Sequence, residues 1–521
     1  MEVSEAPAMD LDPSAPDAQA PQAAPALARP RSIKVNFMIN VAGAIIPLGV
    51  SLVTVPIYIR HIGDARYGVL SIVWVLLGYF GFLDLGLSRA AANALARLRD
   101  APQEVRARVL VTTLVLNFGM GLVGSLALAL AGSYLLQHVL NVPDSLKPEI
   151  ASAFPWIVAL FPLALVSGVG IGTLESREEF LRVNMLQVVG TSLGQIVPVM
   201  LAVGIGPSLA VVIPAAALAR GLTVVATLIM VWRQEGPLRA IHYDRRAIRG
   251  LLQYGGWISV SAVISPILTS LDQFVIGSII GVAAIAHYVV PMSLVLRSQV
   301  FPIALNRTLF PRMSQGETNS ALSLAKKSTV RLACCYCVIV CPGIFLLGPF
   351  MRAWLGEAYG GSPVLTGQIL LLGAWINGIA HIPGGLIQAR GRPDLTARSH
   401  ILEVLPFVAI LLVCTRLFGI EGSAAAWTLR VLVDTTLMFI FSGVGSKKLT
   451  IEIGKPAGLI FFSLAIQIQT QPGLVSSLAL GGAAALASIM LVLSEPNMLA
   501  TIRRRAPNHF LTLSVWAGTE R

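Results

Sequence analysis

The chain has 521 residues, of which 55% are hydrophobic and only 12% charged, with a mean hydropathy of +0.76. Soluble domains carry about 25% charged residues, so this composition excludes a water-soluble protein of this size. A lipid environment removes the need for a polar surface. The net charge is +12, and its distribution, followed below, points away from a nucleic-acid partner.

Residues 1–30 are rich in Ala and Pro and carry Glu2, Glu5, Asp10, Asp12 and Asp17. Such a stretch cannot bury enough apolar surface to fold. It also lacks the basic start and apolar core of a signal peptide, so we expect a disordered cytoplasmic tail. A transmembrane helix needs roughly 20 apolar residues. Stretches of that kind fall near 35–59, 67–91, 109–136, 151–173, 183–204 and 208–232. A polar segment follows, from Arg233 to Arg249, and six more stretches lie near 251–280, 283–306, 330–351, 364–388, 399–418 and 422–445. Two later runs, near 456–470 and 474–494, leave the total at 12 or 14, the first being short for a span. The expected organisation is a tail (1–30), a six-helix half (31–232), a cytoplasmic linker (233–250), a second six-helix half (251–446), and a segment (447–521) with one or two further hydrophobic runs and a basic tail.

Cytoplasmic loops are enriched in Lys and Arg. With the N-terminus inside, Arg97, Arg99, Arg106, Arg108, Arg233, Arg239, Arg245, Arg246 and Arg249 all fall on the cytoplasmic side. So do Arg307, Arg312, Lys326, Lys327, Arg331, Arg390, Arg392, Arg398, Lys447, Lys448 and Arg503 to Arg505. The opposite loops hold Arg60, Arg66, Lys147, Arg352 and Arg416. The positive charge is therefore mostly a topology signal, and both termini are expected in the cytoplasm.

The two halves resemble each other. The first span ends at Ile62-Gly63 and the seventh at Ile280-Gly281, a shift of 218 residues. Pro47 and Pro266, inside those spans, differ by 219. The loop from Glu175 to Glu179 resembles that from Ala389 to Pro393, shifted by 214. Six helices separate the copies, so the expected fold is all-α, a polytopic membrane protein of two parallel-topology six-helix repeats. Transporters often place the substrate path between such repeats.

No catalytic constellation of the soluble kind is present, and no cofactor motif. Gly168-Val169-Gly170-Ile171-Gly172 lies in an apolar helix without a preceding strand, so it reads as close helix packing rather than a nucleotide turn. Of the five cysteines, Cys334, Cys335, Cys337 and Cys341 share one apolar run and Cys414 stands apart. No His accompanies them at ligand spacing, and they read as small hydrophobes rather than a metal site.

Polar residues at membrane depth are costly unless paired or wet. They are Asp84, Arg89, Asp272, His287, Arg297, Asn306, Asn377, His381, Glu403, Arg430 and Asp434. Arg430 and Asp434 are four apart, so they either neutralise each other on one helix face or line a cavity. Arg89 either snorkels to the headgroups or serves the path. Asp272 has no oppositely charged neighbour in its own span and needs a partner from another helix or a wet cavity. Arg297 has no local carboxylate, and a cavity-facing guanidinium suits an oxyanion such as phosphate. The substrate-binding candidates are therefore Arg297, Arg89 and Arg430, and the ion-coupling candidates Asp272, Asp84 and Asp434. Pro47, Pro266 and Pro291 are candidate hinges, since proline kinks a helix. The alternative is that membrane helices simply tolerate them.

Val53 to Gly63 with Tyr67-Gly68 and Leu83-Asp84-Leu85-Gly86-Leu87 resembles the opening of the Wzx-type polysaccharide flippases. Leu271-Asp272-Gln273-Phe274-Val275-Ile276-Gly277 with Ala286-His287-Tyr288 is similar to the start of their second half. So are Gln388 to Pro393 and Gly419 to Ala425, and the likeness spans roughly residues 33–445. The motifs belong to a wider superfamily that includes drug and lipid II exporters. The resemblance implies a non-enzymatic transporter in the bacterial inner membrane. It would flip an undecaprenyl-diphosphate-linked oligosaccharide for surface polysaccharide, with membrane lipids and polymerase and export machinery as partners. A multidrug antiporter is disfavoured by the lack of carboxylates at depth in the first half other than Asp84. A lipid II flippase stays open through the two late runs. A membrane glycosyltransferase or ligase would need a large outer loop, and those near 137–150 and 352–364 are short.

Overall fold

A computed structural model describes residues 33–79, 84, 87–134, 139–177, 179–236, 268, 270–315 and 317–494. The N-terminal tail, Pro266, most of the 233–250 linker and the basic C-terminal tail lie outside the described residues. The described chain is helical, without strands. In order, its long helices are α1 (Ile33–Tyr79), α2 (Leu87–Arg97), α3 (Gln103–Tyr134), α4 (Lys147–Ser176), α5 (Phe180–Gly204) and α6 (Leu209–Glu235). Next comes α7 (270–279). After it come α8 (Val282–Arg297), α9 (Val300–Gln315), α10 (Thr318–Leu355), α11 (Ser362–Ala389), α12 (Pro393–Ser442), α13 (Lys447–Thr470) and α14 (Leu474–Ser494).

Eleven helical stretches are long and apolar enough to cross a membrane. Two of them are hairpins. A straight helix as long as α1 would measure about 70 Å, against about 30 Å of hydrocarbon. Instead Gly63 leaves the helical region (φ 78°, ψ 164°), and the Tyr58 and Trp74 rings lie 5.9 Å apart. In an unbroken helix they would be about 24 Å apart. Gly419 (φ 63°, ψ −141°) breaks α12 in the same way, and the Arg430 guanidinium lies 5.4 Å from the Phe407 ring on the other arm. Only glycine adopts such angles without strain. The crossing arms among the described residues therefore number thirteen. Both late runs are full-length helices: Lys447, Lys448 and Lys455 sit in α13, where long side chains reach the interface. The apolar core of that run alone understated its length.

The helices pack in two groups. Within α1–α6, α4 lies against α2, α3 and α6, and α5 joins α1 to α6. In the second group α11 packs on α8, α9, α10 and α12, while α13 and α14 dock on α10. The groups meet at one end. There the second arm of α1 crosses α8 so closely that a Cβ on Gly68 would lie 1.8 Å from the Val282 carbonyl oxygen. Gly281 (φ 126°) opens α8, matching Gly63 across the repeat. The Asn141 amide donates to the Gly277 carbonyl at 2.9 Å, and the Trp354 indole to the Leu52 carbonyl at 2.6 Å. At the opposite end, the ion pairs and side-chain hydrogen bonds among the described residues stay within one group. Arg106 holds Glu235 at 2.7 Å, with Arg177 at 3.1 Å, tying α3, α4 and α6. Arg390 donates to the Ser442 carbonyl at 2.7 Å, tying α11 to α12.

Gly68→Ala is expected to force the groups apart and destabilise the protein by about 1–3 kcal/mol, as overpacking does. Gly49→Ala, where a Cβ meets open space, is the control. Melting midpoints of both variants in detergent check this, and an unchanged midpoint for Gly68→Ala would refute the contact.

Candidate substrate and coupling sites

The second group encloses a cluster of buried charges. Asp272 on α7 is 1% exposed. It accepts a hydrogen bond from the Tyr288 hydroxyl of α8 at 2.5 Å and one from the Gln273 amide at 2.8 Å. The partner that the sequence required from another helix is thus Tyr288, with the Arg430 charge also attracting Asp272.

The α12 hairpin supplies the rest. Its first arm carries Ser399, His400 and Glu403, and its second Arg430 and Asp434. Arg430 approaches Glu403 at 3.6 Å, and His400 approaches Asp434 at 3.8 Å. Ser399 donates to Glu403 at 2.9 Å and lies 3.3 Å from Asp434. Arg430 and Asp434, four apart on the second arm, thus each also meet a partner on the facing arm. Folding at Gly419 brings the two arms together.

A cavity of about 280 Å³ opens beside the cluster, lined by Asn306, Asn377, His381, Thr396, His400, Arg430 and Asp434 among others. Of its lining, Asn306 Oδ1, Thr396 Oγ1, His400 Nδ1 and Arg430 Nε are buried without a hydrogen-bond partner among the described residues. Buried polar atoms usually have partners, so the cavity suits a polar occupant or water. No group of three metal-ligating side chains is positioned for a metal ion among the described residues.

Arg297 ends α8 and is exposed. It makes no ion pair or hydrogen bond among the described residues. It lies nine positions from Tyr288, about half a turn round the helix at about 100° per residue. Tyr288 points to Asp272 in the second group's own packing. Arg297 therefore leaves α8 on the side opposite Tyr288.

Asp84 is committed locally, accepting from the Ser88 amide at 3.0 Å and the Ser88 hydroxyl at 2.7 Å. Ser88 lies in the first turn of α2, where its amide has no intrahelical acceptor, and the Asp84 carboxylate supplies one. The side chain of Arg89 lies outside the described residues. The helices run on through Pro47 and Pro291, and the non-helical residue of α1 is Gly63 rather than a proline.

Two constellations went unrecognised in the sequence. One is the buried Arg106–Glu235–Arg177 network. The other joins the groups: Asp64 accepts from the Tyr359 hydroxyl at 2.7 Å and pairs with the His287 imidazole at 3.2 Å. An acid placed directly after a helix-breaking glycine was the available signal for the second.

Comparison with known proteins places this geometry. The profile of a family described as polysaccharide biosynthesis proteins matches residues 33–317. A Shigella flexneri protein, named as a candidate O-antigen transporter, is 26% identical over 408 residues, which cover 78% of this chain and 97% of that protein. Among solved structures, the lipid II flippase MurJ in an inward closed conformation superposes with a TM-score of 0.67 at 12% identity, over 90% of this chain and 99% of that one. An inward-facing multidrug resistance transporter of the MATE family, in the MOP superfamily, gives 0.66 at 16% identity, over 79% and 99%. At these identities the structural likenesses establish the fold alone.

Arg430→Met is expected to destabilise the protein by about 3–5 kcal/mol, because it strands a buried carboxylate. Arg430→Met combined with Glu403→Leu should recover much of that loss. A double-mutant cycle on detergent-solubilised protein measures this, and strictly additive effects would mean that the two charges do not pair.

Proposed function

This chain belongs to the polysaccharide biosynthesis protein family, and from that premise we propose that it flips a lipid-linked oligosaccharide across the bacterial inner membrane for surface polysaccharide. It is a multi-pass membrane flippase and not an enzyme, in keeping with the transporters it resembles. The carrier on this reading is an undecaprenyl diphosphate. Both termini lie in the cytoplasm, so the joined end faces outward and the cargo enters from the cytoplasmic side, between the two groups. Polymerase and export machinery would take over the delivered glycan.

The observation that supports this reading is Arg297, exposed and without an ion pair or hydrogen bond among the described residues. A sugar diphosphate cannot cross hydrocarbon unaided. A planar guanidinium without a carboxylate of its own can bind its phosphates bidentately. Arg430 is already engaged by Glu403 and serves less well. Asp272, Glu403 and Asp434 outnumber the single Arg430, which favours uptake of a proton or cation to drive the cycle. Asp84, already accepting from the Ser88 amide and hydroxyl, is the weaker coupling candidate.

The second reading is a lipid II flippase, favoured by the helices α13 and α14 beyond the first twelve. Reconstituted protein offered an undecaprenyl-diphosphate oligosaccharide or lipid II separates the two. In cells, Arg297→Ala and Asp272→Ala are each expected to abolish surface polysaccharide while the protein remains in the membrane at wild-type level. Normal polysaccharide from both variants would sink the proposed roles. Drug resistance without a glycan phenotype would reverse the assignment of cargo.

A further inference from the structure

A cleft of about 330 Å³ lies between the first turns of α10 and of α13, outside the path between the two groups. Lys326 and Lys327 line it from α10 and Lys448 from α13, with Ser323 beside them. None of the three lysines makes an ion pair among the described residues. The one carboxylate in the lining is Glu452, so three cations against one anion leave the cleft with an excess of two positive charges.

The cleft is also partly apolar. Val330 and Leu449, which line it, are each 3% exposed. Lysine stems cover such surface while their ammonium groups stay wet. Ser446 caps α13, its hydroxyl accepting from the Leu449 amide at 3.3 Å. The positive end of the helix dipole is thereby fixed at the cleft and adds to its pull on an anion. One turn further, Ile451 is 67% exposed, on a helix long and apolar enough to cross the membrane. An occupant would therefore meet cations at one end and an exposed apolar helix surface at the other.

We propose that this cleft binds the phosphate headgroup of an anionic membrane lipid, whose acyl chains run along the exposed face of α13. The chemistry is that of juxtamembrane basic clusters, which gather anionic headgroups. Such a lipid would fasten α13 to α10, the helix through which α13 and α14 chiefly contact the protein.

The test is native mass spectrometry of the full-length protein in detergent, titrated with dioleoylphosphatidylglycerol, dioleoylphosphatidylcholine or inorganic phosphate. The wild type is expected to bind phosphatidylglycerol at least tenfold more tightly than phosphatidylcholine. K326Q/K327Q/K448Q should weaken phosphatidylglycerol binding at least tenfold, whereas Lys455→Gln, on α13 but outside the cleft lining, should leave it unchanged. Should the triple variant fail to fold, Lys448→Gln alone is expected to weaken binding about threefold. Undiminished binding in whichever of these variants folds, equal binding of phosphatidylcholine, or an equal loss in Lys455→Gln would each overturn the proposal. Phosphate binding as tightly as phosphatidylglycerol would assign a free-anion site and overturn the lipid.

Discussion

The contact between Gly68 and the Val282 carbonyl admits no side chain, and the arrangement of the two helix groups depends on it. The two elements that meet there are related by the 218-residue shift between Gly63 and Gly281. The join thus brings together two helices that each follow a glycine with positive φ. The exactness of fit there falls on one glycine.

The interactions around that join differ in kind from those that hold each group together. Asp64 and His287 remain about 30% exposed, and ion pairs that reach solvent contribute about 0–1 kcal/mol. Arg106 and Glu235 are nearly inaccessible, and breaking such a pair costs several kcal/mol because a buried charge is left uncompensated. Any movement that opens the joined end therefore breaks the weak contacts first and leaves the Arg106 network whole. Rigid groups with a separable end are what a rocking cycle between two halves requires.

Much of this was legible in the sequence. Apolar run length located the spans, because hydrocarbon thickness sets a minimum helix length. Gly63 and Gly281, singled out in the sequence, both take positive φ, which glycine adopts without strain. The partners of buried charges were not legible. Local spacing put Asp434 within reach of Arg430, four residues away, but could not show that the hairpin at Gly419 also brings Glu403 to it from 27 positions earlier in the chain. Local spacing likewise gave no hint that Asp84 would accept from the Ser88 amide, since nothing in the sequence marks Leu87 as a helix start. Asp272 fared better. A carboxylate with no compensation in its own helix must be met by another, and Tyr288 supplies the hydrogen bond.

Helix α8 connects the separate parts of the proposed mechanism. It carries His287, which reaches Asp64 in the other group, Tyr288, which binds Asp272, and Arg297, an exposed guanidinium without an ion pair among the described residues. The first two are adjacent in sequence, so they leave the helix about 100° apart and face different bodies. A proton or cation taken up at Asp272 would weaken the charge that Tyr288 satisfies and relax the inward pull on α8. Any rotation of α8 that follows also turns His287 against Asp64 and Arg297 against the cargo. Binding, coupling and release of the joined end then need no long relay, because one helix of 16 residues presents a different residue to each.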